Sequence, residues 1–164
     1  MYDHILVALD GSERAEQVLP HVEALAEKFG SEVTLLRVTP LLGVAAAPVI
    51  GLPMTAPTDL YTAKQMVEAL EAEQDYAAEY LRSLGERLRS RLPHVEVEVA
   101  QGDPADVIIG HASSRGTDLI AMTTHGRSGL QRLVLGSVAD AVVRRAPCAV
   151  LLVRVVTTEQ PARD

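Results

Sequence analysis

The sequence predicts a three-layer, doubly wound α/β fold: an open sheet of five parallel strands in the order 3-2-1-4-5, flanked by four helices. Three observations carry that prediction. Apolar residues make up 48% of the 164 residues while aromatics make up 3% and tryptophan is absent, so the core must be built from Val, Leu, Ile and Ala. That palette suits parallel strands covered on both faces. Five short apolar runs alternate with helical periodicities, which implies right-handed β-α-β crossovers. Two of the runs end in polar, glycine-bearing tips, "ALDGS" and "MTTHG", as strands do on either side of a point where the strand order reverses.

The elements follow in order. The first strand is "HILVALD" (4–10). Val18, Leu19, Val22, Leu25, Ala26 and Phe29 then repeat at helical spacing with Gly30 at the end, and Pro20 is expected to bend this helix by removing one hydrogen bond. The second strand is "EVTLLRV" (32–38). A long helix is expected from about Thr62 to Leu92, with Tyr80, Leu81, Leu84 and Leu88 on one stripe. "VEVEVA" (95–100) alternates apolar and acidic residues, the mark of a strand with one exposed face, and is placed at an edge. A third helix starts with Asp103 as cap and Pro104 at its first position and ends near Gly116. The fourth strand is "DLIAMTT" (118–124). The fourth helix runs from Ser137 to about Arg145, and the fifth strand is "CAVLLVRV" (148–155). This gives one domain over 1–155, with an apolar loop insertion over 40–66 and a frayed tail over 156–164.

Bulk properties exclude several function classes. The formal net charge is −7 and the pI about 5.2, which argues against general binding to nucleic acid or anionic membranes. The single cysteine, Cys148, cannot form an internal disulfide and fits a reducing, cytoplasmic setting. The opening residues lack the pattern of a signal peptide. From Val38 to Thr58 runs an uncharged stretch long enough for a membrane span, but Pro40, Pro48, Pro53 and Pro57 interrupt it; it reads as an apolar surface loop and a contact surface for a protein partner. The five histidines show no metal spacing, and no catalytic Ser-His-Asp or Cys-His set is visible.

One stretch contrasts with the acidic whole. "TTHGRSGLQRLVLGS" (123–137) holds three glycines and two arginines and no acid. Gly126, Gly129 and Gly136 permit close backbone approach to a ligand. Arg127 and Arg132 add cations, and the following helix start offers free N–H groups, with Ser137 placed as its cap. These are the parts of a phosphate cradle, though not of the Walker type, since no G-K-[ST] occurs. The alternative is a plain turn with an ordinary cap and solvated arginines; the exclusion of acids and the position at the switch point favour the cradle. Asp10 has two readings as well, a turn former or a carboxylate for a ribose. The neighbouring loop favours the second. For His125 a ligand contact and a structural hydrogen bond stay open.

At these residues the chain resembles the universal stress protein family, whose nucleotide-binding members carry G-x2-G-x9-G-[ST]. Gly126, nine residues and Gly136-Ser137 match its second and third elements, while Thr123 stands at the first glycine. "ILVALDGS", "GDPADVIIGHA" (102–112) and "GSVADAVVRRAPCAVLLVR" (136–154) extend the resemblance. It implies a site for ATP, or AMP or ADP, with Mg²⁺ as an optional companion. By the same resemblance Ala8, Leu9 and Asp10 would lie at the first strand's tip, with Asp10 on the ribose or adenine. The Val38 backbone would read the adenine edge, and Met122 and Thr123 would line the pocket. Gly126, Arg127, Ser128, Gly129, Gly136, Ser137 and Val138 would surround the phosphates. It also implies a homodimer through Ala149, Val150, Leu151, Leu152 and Val153. The expected function is nucleotide-dependent stress signalling; a slow ATPase or phosphotransferase and a nucleotide-free partner module are the alternatives.

Overall fold

The computed structural model describes residues 1–41, 57–124 and 136–155. Its five strands are β1 (His4–Leu9), β2 (Glu32–Thr39), β3 (Val95–Gln101), β4 (Leu119–Thr124) and β5 (Ala149–Arg154). All adjacent strands pair in parallel, in the order β3-β2-β1-β4-β5. Among the described residues four α-helices connect them: α1 (Leu19–Phe29), α2 (Pro57–Arg89), α3 (Pro104–Arg115) and α4 (Ser137–Arg145). A short 3-10 turn, Ala15–Val18, precedes α1. The strand order and fold class match the reading of the sequence.

Side-chain alternation along the strands divides the core into two layers. Ile5, Val7 and Leu35 face α1 and α2 and pack with Val18, Val22, Leu81, Leu84 and Leu88. Leu6, Leu36 and Ile120 face the opposite way and pack with Ile108, Ala112 and Val142 of α3 and α4. Successive residues of an extended chain point to opposite faces, so a near-continuous apolar run is what a doubly covered strand requires. The stripe at Leu81, Leu84 and Leu88 is buried as its spacing predicts.

Several local expectations are corrected. Pro20 does not bend a helix interior. It is the second residue of α1, where an N–H has no intrahelical acceptor to lose, because Val18 belongs to the 3-10 turn instead. The long helix α2 begins at Pro57, before Thr62, and stops at Arg89, so the expected 40–66 loop overlaps helix from 57 onward. Residues 42–56 of the apolar stretch and 156–164 of the tail lie outside the described residues. Ser137 does not cap α4: it is the first helical residue, and Gly136 occupies the cap. The other boundaries follow the sequence closely. Asp103 caps α3 by accepting from the Asp106 amide at 3.1 Å, and Gly30 and Gly116 end α1 and α3 in the left-handed conformation, φ 70° and 64°.

β3 is an edge strand as expected, but its acidic face is not simply solvated. Val97 and Val99 pack on the α1/α2 side. On the other side Glu98 meets His111 Nε2 and Arg115 Nη2, each at 3.0 Å, and Glu96 meets Arg115 Nη1 at 3.3 Å.

Candidate functional site

The chain leaves β1 toward β2 on one side and β4 toward β5 on the other, so the carboxyl ends of β1 and β4 part company and leave a crevice between their exits. A cavity of about 440 Å³ opens there, within the usual range of small-molecule sites. Three strand ends and two helices form it. Ala8, Leu9 and Asp10 come from the tip of β1, Val38 from β2, and Met122 and Thr123 from β4. Gly136, Ser137 and Val138 supply the start of α4.

These nine are the described members of the set named from the sequence, and the fold brings all of them onto one cavity. Gly126, Arg127, Ser128 and Gly129 lie outside the described residues, as do His125 and Arg132. Five further lining residues escaped the sequence reading: Ala15, Leu36, Pro104, Ile108 and Ala139. Two of them carried a usable signal. Leu36 shares a strand face with Val38, and Ile108 stands one helical turn beyond Pro104. Ala15 and Ala139 carry no polar group that could have marked them.

The walls have a chemical division. Leu36, Val38, Ile108 and Met122 make an apolar surface suited to a flat ring. At the other end α4 begins. Its cap, Gly136, offers no side-chain hydrogen bond to the first-turn amides, so the cap residue itself leaves those N–H groups and the positive end of the helix dipole open to another partner. Among the described residues, a Cβ built on Gly136 meets nothing within 4 Å.

At the rim, Asp10 shapes its own turn. Its Oδ1 accepts from the Ser12 amide at 2.9 Å and from the Ser12 hydroxyl at 2.6 Å. The Ser12 hydroxyl accepts in turn from the Ala15 amide at 3.2 Å. Gly11 sits between them at φ 84°, a conformation that glycine adopts without strain. The turn-forming reading of Asp10 is therefore realised, and the same carboxylate also lines the cavity. It is the one ionisable group among the described lining residues. No cluster of three metal-ligating side chains occurs among the described residues, and no helix among them is long and apolar enough to cross a membrane. Cys148 is partly buried in the α3/α4 layer, and burial pushes its thiol pKa up.

The family model of the universal stress proteins matches residues 1–154, which covers both core layers and every element that builds the cavity. The chain belongs to the universal stress protein family. A universal stress protein of Methanocaldococcus jannaschii is 31% identical over 154 residues, covering 94% of this chain and 83% of that protein. Among solved structures, the universal stress protein UspA of Lactobacillus plantarum superposes with a TM-score of 0.71 at 24% identity, over 93% of this chain and 98% of the other. A universal stress protein in complex with cAMP gives 0.63 at 19% identity, over 94% and 98%. A family protein of Arabidopsis thaliana with AMP bound gives 0.60 at 17% identity, over 97% and 95%. At these identities the agreement is one of fold. Two structures of that fold hold adenine nucleotides.

Proposed function

We propose that the cavity at the β1/β4 crevice binds an adenine nucleotide, with ATP foremost, and that its occupancy switches the protein's contacts in stress signalling. The observation that carries this reading is the convergence of Ala8, Leu9, Asp10, Val38, Met122, Thr123, Gly136, Ser137 and Val138 on one cavity. The apolar wall suits the faces of a purine, Asp10 at the rim suits a ribose, and the uncapped start of α4 suits phosphate oxygens. Gly126, Arg127, Ser128 and Gly129 would complete the phosphate end, with Mg²⁺ as a companion of a bound triphosphate. That AMP and cAMP are held by related folds supports an adenosine phosphate as the class of ligand.

Binding, not turnover, is the proposed role. Fast hydrolysis needs a base to orient water and a cation that follows the departing phosphoryl group. Asp10 is the one candidate base among the described lining residues, and it is engaged by Ser12. Backbone amides hold ground state and transition state alike, which tightens binding without raising rate. In a single-turnover assay, loss of label from ATP is expected on a timescale far longer than the seconds or less of dedicated enzymes.

The same reading includes a homodimer joined along β5, from Ala149 to Val153, and a cytoplasmic site of action. The direct test is mass spectrometry of whatever leaves the freshly purified protein on denaturation. An adenine nucleotide at close to one per chain is expected. Release of a different ligand class, or of none together with no shift in thermal unfolding on adding ATP, ADP or AMP, rejects the reading.

A further inference from the structure

Arg37 is an arginine in the middle of an apolar strand. Its neighbours Leu36 and Val38 line the cavity, so alternation sends Arg37 to the opposite face, toward α2. It is 7% exposed. Burying a guanidinium is costly unless the charge is paired and stacked. Here Nη2 meets Glu73 Oε1 of α2 at 2.5 Å. The rings of Tyr76 and Tyr80, one and two turns further along α2, lie 5.4 and 5.7 Å from Cζ, close enough for cation–π attraction. Among the described residues Nη1 is buried without a hydrogen-bond partner.

The other side of the guanidinium faces the β1 turn. A Cβ built on Gly11 would come 2.6 Å from Nη1 and 2.8 Å from Cζ. The plane of Arg37 therefore lies directly against Gly11, between the two residues whose mutual hydrogen bonds set Asp10 at the cavity rim. The end of a flexible side chain normally yields to such a contact. This one is buried, tethered to Glu73 and flanked by two rings, so it cannot swing away cheaply. The charge at Asp10 is felt on this side as well: burial, then Glu16, and also Asp10 push the Tyr80 phenol pKa up.

The geometry points to Arg37 as a positioning residue: it supports the Asp10–Gly11–Ser12 turn from beneath and ties it through Glu73 to α2, so that the turn at the cavity mouth and the middle of α2 respond as one unit. The support of the turn is a property of the ligand-free chain. The transmission of occupancy to α2 rests on the cavity being the nucleotide site. It gives that site a route to an outer surface, since Tyr76 is 60% exposed on α2.

Amide hydrogen exchange on the full chain tests both halves. Without ligand, Arg37→Met keeps the apolar stem and removes the support. Exchange at Ser12 and across Glu73–Tyr80 is expected to rise at least about tenfold, with Ile120 and Ala121 of β4 unchanged. Unchanged exchange at Ser12 overturns the inference. Should Arg37→Met fail to fold, Gly11→Ala presses on the guanidinium from the turn side; faster exchange across Glu73–Tyr80 supports the linkage, and an effect confined to residues 10–12 overturns it. With saturating AMP, wild type should slow at both Ser12 and Glu73–Tyr80, whereas Glu73→Gln should slow at Ser12 alone. Slowing at Glu73–Tyr80 undiminished in Glu73→Gln overturns the transmission through this pair. If AMP slows nothing in wild type, including Ala8–Asp10 and Ser137–Ala139, it is the nucleotide reading that fails, and the ligand-free comparison still decides the role of Arg37.

Discussion

The two edges of the sheet are built differently. β3, at one edge, is buttressed and charged. α2 lies so close beneath it that a Cβ on Gly85 would come 2.7 Å from Val97 Cγ1, and its outer face carries Glu96 and Glu98 in a network with Arg115 and the buried His111. β5, at the other edge, runs Ala149-Val150-Leu151-Leu152-Val153 before its first charge at Arg154. Its four central residues stay part-exposed even though they pack on both core layers. Every edge strand presents unpaired backbone groups, and charge is a common means of keeping other chains off them. β3 carries charge and β5 does not before Arg154, and that difference is the physical ground for proposing β5 as the dimer seam.

The largest effect is expected from erasing that difference at β5. Val153→Lys places a charge in the apolar edge strand, and light scattering should fall from about twice 17.6 kDa for wild type to 17.6 kDa. A wild type that is already monomeric at high micromolar concentration removes the dimer. Erasing the difference at β3 works in the other direction. Glu96→Val with Glu98→Val gives the sheet two apolar edges, and assemblies larger than a dimer are expected on the same column. An unchanged elution would mean that the charges do not guard this edge.

Two smaller effects concern stability. Gly85→Leu overpacks the α2/β3 contact, at a cost of about 1–3 kcal/mol in urea unfolding. His111→Ala leaves Glu98 with a partner fewer and opens a buried site, with about 1–3 kcal/mol expected. Equal stability of either variant would show that β3 is held by its backbone pairing alone. The smallest effect is chemical. Because burial raises the Cys148 thiol pKa, less thiolate is present at neutral pH in the folded chain than in the unfolded one. Alkylation by iodoacetamide at pH 7.5 should be slower in buffer than in urea, and the gap should narrow as pH rises. Equal rates would place the thiol in water.

The strands were legible in the sequence because a doubly covered strand must be apolar on both faces, and runs such as "ILVAL" and "LIAMT" meet that need at a length too short for a buried helix. "VEVEVA" was legible as an edge for the complementary reason. What a single stretch could not show was the partner of its polar groups. Glu98 looked solvated until α3 brought His111 and Arg115 against it. Pro20 looked like a kink because nothing local announces that the chain enters α1 through a 3-10 turn. Ser137 has the chemistry of a cap, but the helix starts one residue earlier, and Gly136 takes that place without a side chain. Of the site, the residues at the strand tips and at the start of α4 were legible from glycines and polar tips, whereas Ala15 and Ala139 look like any core residues. Arg37 carries no local signal of its role: its partner Glu73 is 36 positions away, and only the packing of α2 on β2 brings the two together.

The central claim, that the cavity between β1 and β4 holds an adenine nucleotide with its phosphates at the start of α4, is tested most directly by titration calorimetry of wild type and Gly136→Val. Among the described residues a side chain at 136 meets no atom within 4 Å of its Cβ, and Gly136 lines the cavity, so the variant should fold with an unchanged melting temperature and obstruct the proposed phosphate end. Heat is expected from ATP, ADP or AMP with wild type, less from GTP, and none from any of them with Gly136→Val. No heat from any nucleotide with wild type, or equal affinity in the folded variant, would contradict it.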